Sequence, residues 1–100
     1  MVEMYWCKIF QTKYEVVVAV CDESLIDKEI KTKKLKIKVS KNFYGGRLVD
    51  GDTVVKLMEK ATIGNLIGPE IIELAERNGF IAKENVILIN GIPHAQFVKV

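Results

Sequence analysis

The sequence predicts a single α+β domain over residues 1–100, with a mixed four- to five-stranded sheet and about three helices packed on one face. Three observations predict it. Apolar runs of strand length, rich in β-branched and aromatic residues, open and close the chain. Apolar spacing of i, i+3, i+4, i+7 is concentrated in the middle, so strands and helices are segregated rather than alternating. One hundred residues make one domain's worth of core, and no repeat, linker or low-complexity tract divides them.

The elements follow in order. Residues 4–10 (MYWCKIF) read as a strand, and residues 15–21 (EVVVAVC) as a second, joined by a turn at 11–14. The second strand is apolar from Val16 to Cys21, which predicts burial on both faces and a central place in the sheet. Asp22 stands as an N-cap for a short amphipathic helix through Leu25, Ile26 and Ile30. Residues 34–39 alternate, with Leu35, Ile37 and Val39 on one side and Lys34, Lys36 and Lys38 on the other, the pattern of a strand with one wet face. Asn42 to Arg47 reads as a loop in which Gly45 and Gly46 mark positive φ or close backbone approach. Asp50 or Asp52 caps a helix carrying Val54, Leu57, Met58 and Ala61. That pattern runs into residues 61–68, read as a junction between two helices. Pro69 opens the next helix and Gly79 ends it. Residues 86–89 (VILI) are a short buried strand, Gly91 to His94 a turn, and residues 95–100 a terminal strand.

Several function classes are excluded by pattern. No apolar run approaches the roughly 18 residues of a membrane span, and the first eight residues lack a signal peptide's basic and apolar regions. A cytoplasmic location is the expectation. Cys7 and Cys21 fit neither a CxxC nor a zinc pattern and read as reduced, buried thiols, with a catalytic or redox cysteine as the alternative. Nucleotide-loop, zinc-protease and nucleophile-elbow motifs are missing. His94 is the only histidine, so no metal and no cofactor is expected.

Charge is the informative asymmetry. Between Lys28 and Lys41 there are seven lysines and one acid, Glu29. This window carries about +6 against a net charge of +2, which points to an anionic partner. It also has a plain alternative, because lysines on a strand face deter edge-to-edge aggregation. Lys34, Lys36, Lys38 and Lys41 lead into the Gly45-Gly46 loop. There backbone N–H groups would form an anion nest, Arg47 would clamp a phosphate, and Phe43 or Tyr44 would stack on a base. A non-catalytic module for RNA or a ribonucleoprotein is the first functional expectation. A small-molecule or enzymatic site is the second, gathering Tyr44, Gly45, Gly46, Asn65 and His94 with Cys21 or Asp22. Asn65 lies among apolar neighbours and needs partners if buried, and His94 titrates near neutral pH. A protein-interaction adaptor, with an unidentified protein partner, is the third.

Four stretches also occur together in a recognisable order: Met4-Tyr5-Trp6 leading to Ala19-Val20-Cys21-Asp22, then Phe43-Tyr44-Gly45-Gly46, then Ala61 to Gly68, then Gly91-Ile92-Pro93-His94-Ala95-Gln96. In this order and spacing the chain resembles the archaeal family of domain of unknown function 424, over essentially its whole length. The resemblance implies an archaeal cytosolic domain of this size and carries no activity and no catalytic residue with it.

Overall fold

The computed structural model describes residues 2–99; position 1 of the expected domain, and position 100 at the end of its expected terminal strand, lie outside the described residues. Six strands form one mixed sheet: β1 (Met4–Gln11), β2 (Val16–Asp22), β5 (Arg47–Asp50), β6 (Ile63–Ile67), β7 (Ile87–Ile89) and β8 (Ile92–Val98). Their spatial order is β5-β1-β2-β6-β8-β7. Only β2 and β6 run parallel; every other pair is antiparallel. A separate two-stranded hairpin pairs β3 (Glu29–Lys31) with β4 (Lys36–Lys38). The helices are α1 (Lys41–Tyr44), α2 (Gly51–Lys60) and α3 (Pro69–Arg77). The α+β class therefore holds, with two more strands in the main sheet than the lower expectation and an added hairpin.

β2 is central, as its unbroken apolar run requires. Its even positions, Val18 and Val20, join Val54, Met58, Leu66 and Ile71 in the core under α2 and α3. Its odd positions, Ala19 and Cys21, join Ile30, Val39 and Tyr44 in a second core on the opposite face. So α2 and α3 share one face, whereas α1 and the β3–β4 hairpin cover part of the other, which corrects the expectation of three helices on one face.

Three local expectations change for tertiary reasons. Residues 22–31 form only a 3-10 turn (Glu23–Leu25) followed by strand β3. Asp22 caps a different helix: its carboxylate accepts the N–H groups of Glu70 at 2.9 Å and Ile71 at 2.8 Å, the first turn of α3. Gly68, at φ +125°, has no room for a side chain because a Cβ there would overlap that carboxyl group. The junction at 61–68 is in fact strand β6. Gly64 is required within it because the Phe97 ring occupies the space a Cβ would need. Finally, β7 is an edge strand rather than a buried one, with Ile87 58% and Leu88 68% exposed.

Caps expected from the sequence are present at two helices. The Asp50 side chain accepts the Thr53 N–H at 2.9 Å and starts α2. Pro69 opens α3, and Gly79, at φ +79°, follows its end. Among the described residues no helix is long and apolar enough to cross a membrane.

Candidate functional site

Both sets of residues singled out in the sequence lie on or near the sheet face opposite α2 and α3, with exceptions that matter. In the hairpin, Ile30 faces Ile37 and turns inward, while the flanking pairs Glu29–Lys38 and Lys31–Lys36 stay exposed. Thr32 ties the turn, its N–H donating to Leu35 O at 2.8 Å and its hydroxyl accepting the Leu35 N–H at 2.9 Å. The result is a two-stranded hairpin around which Lys28, Lys31, Lys33, Lys34, Lys36 and Lys38 are all exposed. Among the described residues none of these six is in an ion pair; Lys41 pairs with Asp27 at 3.2 Å.

The expected continuation of this basic surface into Tyr44 and Arg47 fails. Tyr44 is only 7% exposed, so its ring cannot stack on a base from solvent. Arg47 sits opposite Cys7 in the β1–β5 pair and therefore projects on the helix side of the sheet, beside Leu57. Gly45 does not contribute to an open nest, because its N–H donates to Lys41 O at 2.8 Å and ends α1. The two glycines serve close approach: a Cβ on Gly45 would meet Lys41 O at 2.8 Å, and one on Gly46 would meet Cys7 O at 2.6 Å.

A stacking surface exists one residue away. Phe43 is 37% exposed and stacks on Phe10 with ring centroids 5.5 Å apart. The Lys8 ammonium lies 5.3 Å from the Phe10 ring centre while donating to Asn42 O at 2.7 Å. Phe10 was not singled out in the sequence, where it reads as strand filler. The signal was the alternation of β1, which places Trp6, Lys8 and Phe10 on one face.

Tyr44, Asn65 and His94 do converge. The Tyr44 hydroxyl donates to Asn65 Oδ1 at 2.6 Å, and His94 Nε2 lies 3.1 Å from the same oxygen. An amide oxygen only accepts, so Nε2 carries the proton and Nδ1 keeps its lone pair when the ring is neutral. Burial lowers the His94 pKa and favours that neutral ring. Burial raises the Tyr44 pKa, with a further push from Cys21, so the phenol stays a donor. His94 is in strand β8 and Asn65 in strand β6, not in a turn or a helix junction.

The proposed nucleophile and acid are not part of this cluster in a usable form. Burial pushes the Cys21 thiol up to about 12, helped by Asp22 and Cys7, and the Cys7 thiol up to about 11 against the pull of Arg47. Both are free, buried thiols. Asp22 is buried at the opposite face, where desolvation raises its pKa and the two α3 N–H bonds counter that rise. Among the described residues no group of three metal-ligating side chains comes together.

A model of the family described as "Protein of unknown function (DUF424)" matches residues 10–100. The chain belongs to that family. It is also similar to a solved structure described as an uncharacterized conserved protein from Methanopyrus kandleri. That likeness has 24% identity and a TM-score of 0.83, and covers 97% of this chain and 94% of the other. At that identity it shows the shared fold. No curated protein matches at a significant level.

Proposed function

We propose that the protein is a non-catalytic binding module for single-stranded RNA or a ribonucleoprotein, acting in the cytoplasm. The observation that carries this reading is the β3–β4 hairpin, which with Lys28 presents six exposed lysines, none of them in an ion pair among the described residues, against one acid, Glu29. Ammonium groups at this density neutralise phosphates and release condensed counterions, a gain that salt removes. The Phe10–Phe43 pair lies on the same side of the sheet with Phe43 partly exposed, and a base stacking on it would gain about 1–3 kcal/mol. Lysine contacts position a backbone without reading its sequence, so the module binds with little sequence preference.

The test is fluorescence anisotropy of a single-stranded RNA oligomer at low and at raised salt. Lys36→Glu with Lys38→Glu is expected to weaken binding by at least tenfold and to flatten the salt dependence, with the melting curve unchanged. Phe43→Ala is expected to weaken binding at both salt concentrations by a similar factor. Unchanged affinity in the double lysine variant overturns the proposal.

A further inference from the structure

Strand β8 is longer than its outer neighbour, and what that leaves open has the shape of a site. β7 pairs with β8 only as far as Ile87 opposite His94, and Asn85 has already turned away into a 3-10 turn. On the inner side, Gly68 N–H donates to Pro93 O and Lys99 N–H to Thr62 O. Odd-numbered positions of β8 therefore bond to β6, and the register of the antiparallel ladder sends the N–H and C=O of even-numbered positions outward. His94 meets Ile87 there. Gln96 comes next, and its outward N–H and C=O have no strand to receive them.

A depression of about 370 Å³ occupies that place, lined by Asn85, Ile87, His94, Ala95 and Gln96. It is shallow and widely open to solvent, so a ligand there would be held by its edge rather than enclosed. Its chemistry is a closely spaced backbone donor and acceptor, the apolar flank of Ile87, and a histidine whose other nitrogen is already committed to Asn65. The open edge runs only from Gln96 to Val98, and Asn85 closes one end. An added peptide strand would find too few groups to pair with, whereas a flat heterocycle needs only one such pair.

We infer that this depression binds a nucleobase, which takes the place of the missing strand residue by pairing its donor–acceptor edge with the Gln96 N–H and C=O while one face rests on Ile87. The His94 Nδ1 lone pair accepts from an exocyclic amino group. The base comes either from a free nucleotide or from RNA. The inference stands on the depression and not on the lysines, so the site and the hairpin succeed or fail separately.

The experiment is an amide chemical-shift titration of the full chain with each of the four ribonucleoside 5′-monophosphates, with ribose 5-phosphate, and with a single-stranded RNA oligomer. Saturable shifts centred on Ile87, His94 and Gln96 with a mononucleotide, and none there with ribose 5-phosphate, support a free-nucleotide site. The same shifts with the oligomer alone support a site for a base held in RNA. Shifts at the hairpin lysines without any at Gln96 overturn the inference and leave the RNA-module reading standing. Shifts at Gln96 without any at the hairpin do the reverse. Gln96→Pro removes the outward N–H without touching the β6 ladder, as edge strands tolerate, and is expected to weaken binding at least tenfold. Ile87→Trp, at a position already exposed, fills the depression and serves as the second variant. Wild-type affinity in both variants overturns the assignment.

Discussion

On the helix side of the sheet, Val18, Val20 and Leu66 meet Val54, Met58 and Ile71, all fully buried, and the packing is carbon against carbon. On the other side Ala19, Cys21 and Ile67 meet Tyr44, Val39 and Ile30. The cover ends there in a hydrogen-bonded cluster, and beyond it Gln96 and Val98 lie open to solvent. The first face is sealed by two helices of nine and ten residues, the second by a four-residue helix and a hairpin. Stability concentrates where apolar area is removed from water. The thinly covered face carries the lysines, the Phe10–Phe43 stack and the polar cluster, and most of the polar groups not already spent on folding lie there.

The largest expected effect tests the sealed face. Leu66 is fully buried there, on the same strand as Asn65 but pointing the other way. Leu66→Ala is expected to cost about 2–5 kcal/mol in urea unfolding, and the proposed RNA module predicts affinity unchanged at temperatures where the variant is folded. If binding falls in step with stability under those conditions, the two faces are not separable in the way their chemistry implies.

One residue along, Asn65→Ala removes the acceptor shared by Tyr44 and His94. The Tyr44 hydroxyl is then left unpaired, at about 1–3 kcal/mol. Tyr44→Phe removes one bond and leaves Asn65 Oδ1 with its histidine donor, so about 0.5–1.5 kcal/mol is expected. Equal costs for the two variants would show that Asn65 is not the hub the distances of 2.6 and 3.1 Å make it.

The same contrast explains what the sequence made legible. Elements set by local chemistry were readable: β2 from its unbroken apolar run, α2 from Asp50, and α3 from Pro69 and Gly79. The expected strand over 34–39 is shorter, Lys36–Lys38, with Leu35 in the turn and exposed rather than on a dry side. Elements set by distant partners were not readable. Asp22 looked like the cap of its own segment, yet its carboxylate serves an α3 helix that begins 47 residues later in the chain. Gly64 and Asn65 argue locally against a strand. Their strand is stabilised by the Phe97 ring, the Tyr44 hydroxyl and the His94 imidazole, none of which is near in sequence. The cluster residues themselves stood out because an asparagine among isoleucines and a lone histidine are locally odd. Which face Arg47 takes and how deeply Tyr44 is buried depend on strand register, which periodicity alone does not fix.

The smallest expected effect is a pH dependence, and it belongs to the open face. Burial lowers the His94 pKa below its ordinary 6.5. Between those two values the unfolded chain binds more protons than the folded one, so stability rises with pH. The contribution is fully present above about pH 6.5 and is lost as the pH falls from there through the lowered value. Asp50 behaves likewise in a separate, more acidic window. Its bonds to the Thr53 side chain and backbone hold its pKa below the ordinary 3.8, and that contribution disappears only as the pH falls beneath it. The His94 and Asp50 contributions to the melting temperature, measured from pH 8 to pH 3, are therefore expected to decline in two stages, with the raised Asp22 pKa opposing the decline in the acidic range. His94→Gln keeps a side-chain donor for Asn65 while removing the titration, so it should flatten the upper stage and leave the lower one in place. An upper stage that persists in His94→Gln would mean that another group carries it, and that the imidazole is not held neutral by the half-covered face on which it sits.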